Sequence, residues 1–190
     1  MTATVGHPAL KEWSAAVHAL LDGRQTVLLR KGGIHEKRFE VAPELAGSRF
    51  LLFPTVAHSH AERVRPDHHD LLESAAADST DAAVVLRAGV RVVAAVPVER
   101  PDRLDEIASL HIWTSASVRS DRLDFRPRHR LTALVVSATS LVEPLTVPRT
   151  PAYRGCSSWV ALPVSPVWGE PVHTNADLAD VAARVRASVG

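Results

Sequence analysis

A chain of 190 residues, 46% hydrophobic and 23% charged, has the composition of a globular domain and excludes the disordered, collagen-like and disulfide-scaffold classes. Its 22 Lys and Arg against 21 Asp and Glu leave a net charge of +1, which excludes the strongly basic balance of a dedicated nucleic-acid domain, and its one Cys excludes an internal disulfide. At this length roughly 70% of the unfolded surface can be buried, so one globular domain over 1–190 is expected.

Residues 8–22 place Leu10, Trp13, Val17, Leu20 and Leu21 three and four apart, the spacing of one helical face, with Gly23 as the stop. Gln25–Arg30 reads as a buried strand turned by Gly32 and Gly33. Residues 49–54 give a second strand that ends at Pro54. Residues 56–74, rich in His, Asp and Glu without periodicity, read as loop with a short helix. Residues 83–99 form two strands or one long strand bent at Ala88–Gly89, and Asp102 caps a helix to Leu110.

Leu131–Val142 has strand composition, as does Trp159–Leu162, while the prolines from Pro144 to Pro171 argue against long central strands in the last third. Asn175 caps a C-terminal helix over about 175–189 whose apolar face carries Leu178, Val181, Ala182, Val185 and Val189. The sum is an α+β fold, a mixed or barrel-like β-sheet flanked by N- and C-terminal helices. The amino terminus lacks a basic region followed by an apolar one, and Arg87 and Arg91 break the longest apolar run before the ~18 residues of a membrane span. A cytoplasmic protein is expected.

Walker, dinucleotide-binding, His-Glu-x-x-His and Gly-x-Ser-x-Gly motifs are absent. A carboxylate-x-Lys nuclease is disfavoured, because Ala9, Leu29 and His35 stand two residues before the three lysines. Positive charge concentrates in two segments, 24–38 and 119–130, the latter with five Arg against Asp121 and Asp124. In the first, Arg30, Lys31, Gly32, Gly33, Lys37 and Arg38 make a candidate anion site: the glycines let backbone amides turn toward a ligand and the cations supply charge-assisted hydrogen bonds. A solvated hairpin is the competing reading.

His58 and His60 could chelate a metal if the segment is extended, completed by Glu40, Glu62, Asp67, His68 or His111. A divalent metal is therefore the one cofactor considered. Cys156, beside Arg154, becomes a candidate nucleophile if His111 serves as its base, although a free Cys is more commonly an inert small hydrophobe. His111, with Trp113 two residues on, also reads as a core pair.

Read in order, Leu10-Lys-Glu-Trp13, Leu28-Leu-Arg-Lys-Gly-Gly-Ile34, Phe50-Leu-Leu-Phe-Pro-Thr55, His111-Ile-Trp-Thr114 and Gly155-Cys-Ser-Ser-Trp159 resemble the bacterial family designated DUF1802, over about 10–162. The resemblance carries no activity and no catalytic residues with it. Val56 and Ala57 stand where the pattern has an aromatic residue and Glu after Pro-Thr. The layout from Ala19 to Arg30 is also similar to the opening of ASCH and PUA-like domains, which implies a small β-barrel that binds RNA or nucleotides.

The first functional expectation is a domain binding a phosphate-bearing ligand, nucleotide or nucleic acid, at the basic Gly-Gly turn, with Trp113 or Trp159 stacking a base. The alternatives are a metal-assisted hydrolase or nuclease using His58 and His60, with His58, His111 and Cys156 as catalytic candidates, and an accessory domain that docks a protein partner. No membrane partner is expected.

Overall fold

A computed structural model describes residues 6–32, 41, 45–56 and 59–190. Seven strands share one mixed sheet: β1 His7–Trp13, β2 Val27–Lys31, β3 Phe50–Thr55, β4 Ala83–Pro97, β5 Leu131–Pro148, β6 Trp159–Leu162 and β7 Trp168–Pro171. The order is β2-β5-β4-β3-β1-β6, with β7 paired to β5. Only the β1–β3 pair is parallel among these ladders. The α+β expectation holds, with the sheet as an open path of strands and a helix near each end of the chain: α1 Ser14–Leu21 and α5 Asn175–Val189.

The expected helix over 8–22 is half strand. Leu10 and Trp13 have helical spacing, but β1 lies between β3 and β6, and its pairing across the sheet overrides a local periodicity that only begins at Ser14. α1 then ends where Gly23 adopts φ +76°, the left-handed conformation that suits glycine. β3 continues one residue beyond Pro54 to Thr55. The segment after it holds α2 His60–Arg63, a 3₁₀ helix Pro66–Leu71 and α3 Leu72–Ala77. The 101–110 helix is 3₁₀, and Asp102 does not cap it: Arg100 occupies the cap position, with no side-chain cap bond.

β4 is one long strand whose register against β5 shifts between Leu86 and Ala88 and again between Val92 and Ala94. Gly89 is required there, since a Cβ would lie 2.3 Å from the Trp168 ring. β5 runs through Pro144 to Pro148, against the expectation that proline would shorten it. The reason is positional: Pro144 falls in the irregular stretch between the Ser140 and Leu145 pairings, where the ladder is already interrupted. The cap of α5 is Thr174 rather than Asn175, in a reciprocal capping box with Asp177. Two short elements without a periodic signature, α4 Ser115–Val118 and the π-helical turn Arg119–Asp124, complete the edge that matters below.

Alternation along the strands divides the core. Leu28, Phe50, Leu52, Val90 and Leu134 fill one face of the sheet, while Val27, Leu29, Ala133 and Val135 on the other meet α5 and the 3₁₀ helix before His111. No helix among the described residues is long and apolar enough to cross a membrane.

Candidate anion cleft

Parallel pairing sets Trp13 opposite Thr55, so β1 and β3 end at the same edge of the sheet. Glu12, next to last in β1, is only 3% exposed. One carboxylate oxygen accepts the Trp13 N–H at 2.8 Å, and the other lies 3.2 Å from Nη1 of Arg30, which also donates to the Lys11 carbonyl at 3.0 Å. A buried carboxylate is thus balanced by the guanidinium that ends β2's inner run.

Above this pair is a cluster of rings. Trp13 meets Trp113 edge-on at 5.4 Å and His60 edge-on at 4.9 Å between centroids, and Arg63 lies over the Trp13 ring at 5.2 Å. α2 places His60 and Arg63 here, one turn apart. Arg63 is held by Asp121 at 2.6 Å and by Ser59. Burial and the neighbouring Arg63 push the His60 imidazole down to about 4, and its Nε2 has no hydrogen-bond partner among the described residues. His60 is therefore neutral at pH 7.

Between these groups lies a narrow cleft of about 10 Å³, room for about one water molecule, open to solvent and lined by Trp13, Arg63, Trp113, Ser117, Asp121 and Arg122 among others. Arg122 is half-buried and, among the described residues, makes no hydrogen bond and no ion pair within 4 Å. Burial holds its guanidinium below the ordinary value; Arg30 and Arg63 push the same way, against Glu12 and Asp121. Glu12 is taken by Arg30 and Asp121 by Arg63, so among the described residues Arg122 is a cation of the cleft with no carboxylate in ion-pair range.

The two basic segments noted in the sequence meet here. Lys31 donates to the carbonyls of Leu123, at 3.2 Å, and of Phe125, and His129 Nδ1 donates to the Gly32 carbonyl at 3.2 Å. Burial, aided by Arg122, lowers the Lys31 ammonium from its ordinary range while Asp124 opposes the shift. Arg24 stands apart on the surface, bound to Asp22 and Asp70.

Of the expected anion-site residues, Arg30 and Lys31 lie within electrostatic reach of Arg122 and Gly32 accepts from His129, but none of the three lines the cleft; Gly33, Lys37 and Arg38 lie outside the described residues, as does His58. His60 opens a helix inside the ring cluster, and no group of three His, Cys, Asp or Glu side chains among the described residues is placed to hold a metal. His111 is 2% exposed, accepts the Trp113 N–H at 3.2 Å and is held down to about 4 by burial and Arg65. Cys156 is exposed and neighbours Lys11. The two expected stacking rings are separated: Trp113 belongs to the cleft, whereas Trp159 packs edge-on against Phe50 at 4.9 Å on the other side of the sheet.

Sequence reasoning missed Trp13, Arg63 and Arg122. Trp13 was assigned to a helix face and Arg122 was one of five arginines in its segment; Arg63 had no signal at all.

The description "Domain of unknown function (DUF1802)" applies to a family that matches residues 9–184. No curated protein matches. Among solved structures, the chain is similar to ASCH from Zymomonas mobilis, at 13% identity and a TM-score of 0.47, covering 82% of this chain and 86% of that one. Two point variants of the same protein align at 12% and 15% identity with TM-scores of 0.47 and 0.45; each alignment covers 82% of this chain, and 87% and 88% of theirs.

Proposed function

Since the chain belongs to the DUF1802 family, whose description assigns no chemistry, we propose a function from the cleft itself: it binds a phosphate-bearing ligand, a nucleotide or a nucleic acid. The observation that carries this reading is Arg122, a desolvated guanidinium with no acidic partner among the described residues, at the wall of an open cleft. An arginine taken partly out of water is costly without an anion, and a phosphate supplies one in the fork geometry that guanidinium matches best.

Lys31 adds positive potential behind Arg122, anchored by carbonyls that leave its charge unneutralised. The aromatic component is Trp13, half-buried and braced by Trp113, whose 7% exposure suits it to support rather than to stacking. A base would meet the Trp13 ring beside Arg63, where stacking and cation–π attraction combine.

The test is titration of purified protein with AMP, followed by tryptophan fluorescence, and with a labelled single-stranded oligonucleotide, followed by anisotropy at two salt concentrations. Arg122→Ala is expected to weaken binding about tenfold or more and to flatten the salt dependence. Equal binding by Arg122→Ala and the parent protein would remove the cleft as the site.

A further inference from the structure

Across the β1–β3 ladder from Trp13, Thr55 lines a second depression of about 460 Å³, together with Val56, Ser79, Thr80, Arg149 and Arg154. Asp81 is the one carboxylate in its lining. Arg149 is held in place by neutral acceptors, the Thr80 carbonyl at 2.6 Å and Ser79 Oγ at 2.5 Å. Lys11, at the margin, donates to the Gly155 carbonyl at 3.0 Å; burial lowers its ammonium from the ordinary range, and Arg149 pushes the same way against Cys156. Arg154 makes no ion pair among the described residues. Three cations thus converge on one groove with no carboxylate in ion-pair range of any of them among the described residues, and the groove has no ring in its lining.

The contrast with the cleft is informative. The cleft offers a tryptophan face and a guanidinium, while the groove offers charge, hydroxyls and the Val56 side chain but no ring. Trp13 and Thr55 are paired strand neighbours, so the two sites sit about one strand spacing, roughly 4.8 Å, apart at the backbone. The Thr55 hydroxyl, donating to the Glu12 carbonyl at 3.2 Å, ties their shared wall together.

Building on the reading of the cleft as a phosphate-ligand site, we propose that the Lys11–Arg149–Arg154 groove is a second phosphate subsite continuous with it, and that the ligand is a single-stranded nucleic acid spanning both. One base stacks on Trp13 at the mouth of the narrow cleft and the adjoining sugar-phosphate backbone crosses Thr55 into the larger groove. A mononucleotide engages the mouth of the cleft alone. A duplex, with its bases stacked inside, cannot present one to Trp13.

Anisotropy with a fluorescein-labelled oligouridylate of eight residues, alongside AMP titration by tryptophan fluorescence, separates the two sites. In a Lys11→Gln, Arg154→Gln double variant, oligouridylate affinity is expected to fall about tenfold and the salt slope to shrink by about 1.4, the loss of two phosphate contacts on a single strand, with AMP affinity unchanged. Arg122→Ala weakens both ligands. Unchanged oligouridylate binding and slope in the double variant would overturn the groove while leaving the cleft standing. Equal affinity of the parent protein for duplex RNA of the same length would overturn the single-strand assignment. If the parent protein binds neither AMP nor oligouridylate, the cleft reading fails and the groove proposal with it. Circular dichroism of each variant confirms that the fold is retained.

Discussion

Asp78 and Glu12 are both buried carboxylates, 2% and 3% exposed, and each faces an arginine. Around Asp78 the account is closed: Arg87 Nε lies 2.9 and 2.7 Å from its two oxygens, His18 Nε2 is 2.6 Å away, and both partners belong to the elements that Asp78 joins. Around Glu12 it is open, because Arg30 pairs with the carboxylate and Arg122 stands behind with no carboxylate within 4 Å among the described residues, only the more distant attraction of Glu12 and Asp121. The first cluster ties α1 and β4 to the end of α3, as scaffolding does. The second holds one more cation than the acids among the described residues pair within 4 Å, the electrostatic pattern expected of a ligand site.

Breaking each arrangement should therefore have a different outcome. The largest loss is expected for Glu12→Ala, which removes the buried acceptor of the Trp13 N–H and the carboxylate facing Arg30; urea unfolding should show a destabilisation of about 3 kcal/mol. Acid comes next. The folded value of His60 is about 4 against an ordinary 6.5, so the unfolded chain binds the extra proton and stability falls as the pH drops from about 6.5 toward 4, by on the order of 3 kcal/mol. His111, held to about the same value, adds a loss of the same sign, so His60→Leu should remove about half of the acid sensitivity, and an unaltered curve would mean that His60 is not held neutral.

Asp78→Asn is expected to cost about 2 kcal/mol, less than the buried-pair range because Arg87 is 37% exposed and partly screened by water, and ligand binding should be untouched. Arg122→Met is expected to change stability by no more than about 1 kcal/mol, in either direction, since it removes an unsatisfied charge while keeping the buried stem. A large destabilisation by Arg122→Met would make this arginine scaffolding and erase the contrast with Asp78.

Much of the sheet could be read from local chemistry. The apolar runs of β2, β3 and β4, the composition of β5 and the glycine after α1 each had a signal that tertiary packing only confirmed. What misled were positions where a distant partner decides. Leu10 and Trp13 look helical until β3 and β6 are known, and Pro144 looks like a strand end until the irregular β4–β5 register accommodates it. The cleft was legible only in halves. Each basic segment was visible along the chain, but the approach of Lys31 to the Leu123 carbonyl, which joins them, has no periodicity or motif to announce it. Arg63 shows the same limit, since an isolated arginine in a polar segment becomes a functional candidate only once Trp13 lies beneath it.

The central place of β5 also governs when the protein can come into being. β2 pairs with it from Val27 to Lys31 and β4 along almost its whole length, so neither has its principal partner until Leu131 and the residues after it have left the ribosome. β1 likewise awaits Trp159–Leu162. At about 5–20 residues per second, hydrophobic strands are exposed for many seconds during synthesis, with slow long-range closure to follow. A nascent chain halted before β5 would carry every side chain that lines the cleft and none of the strand that brings β2 to β4.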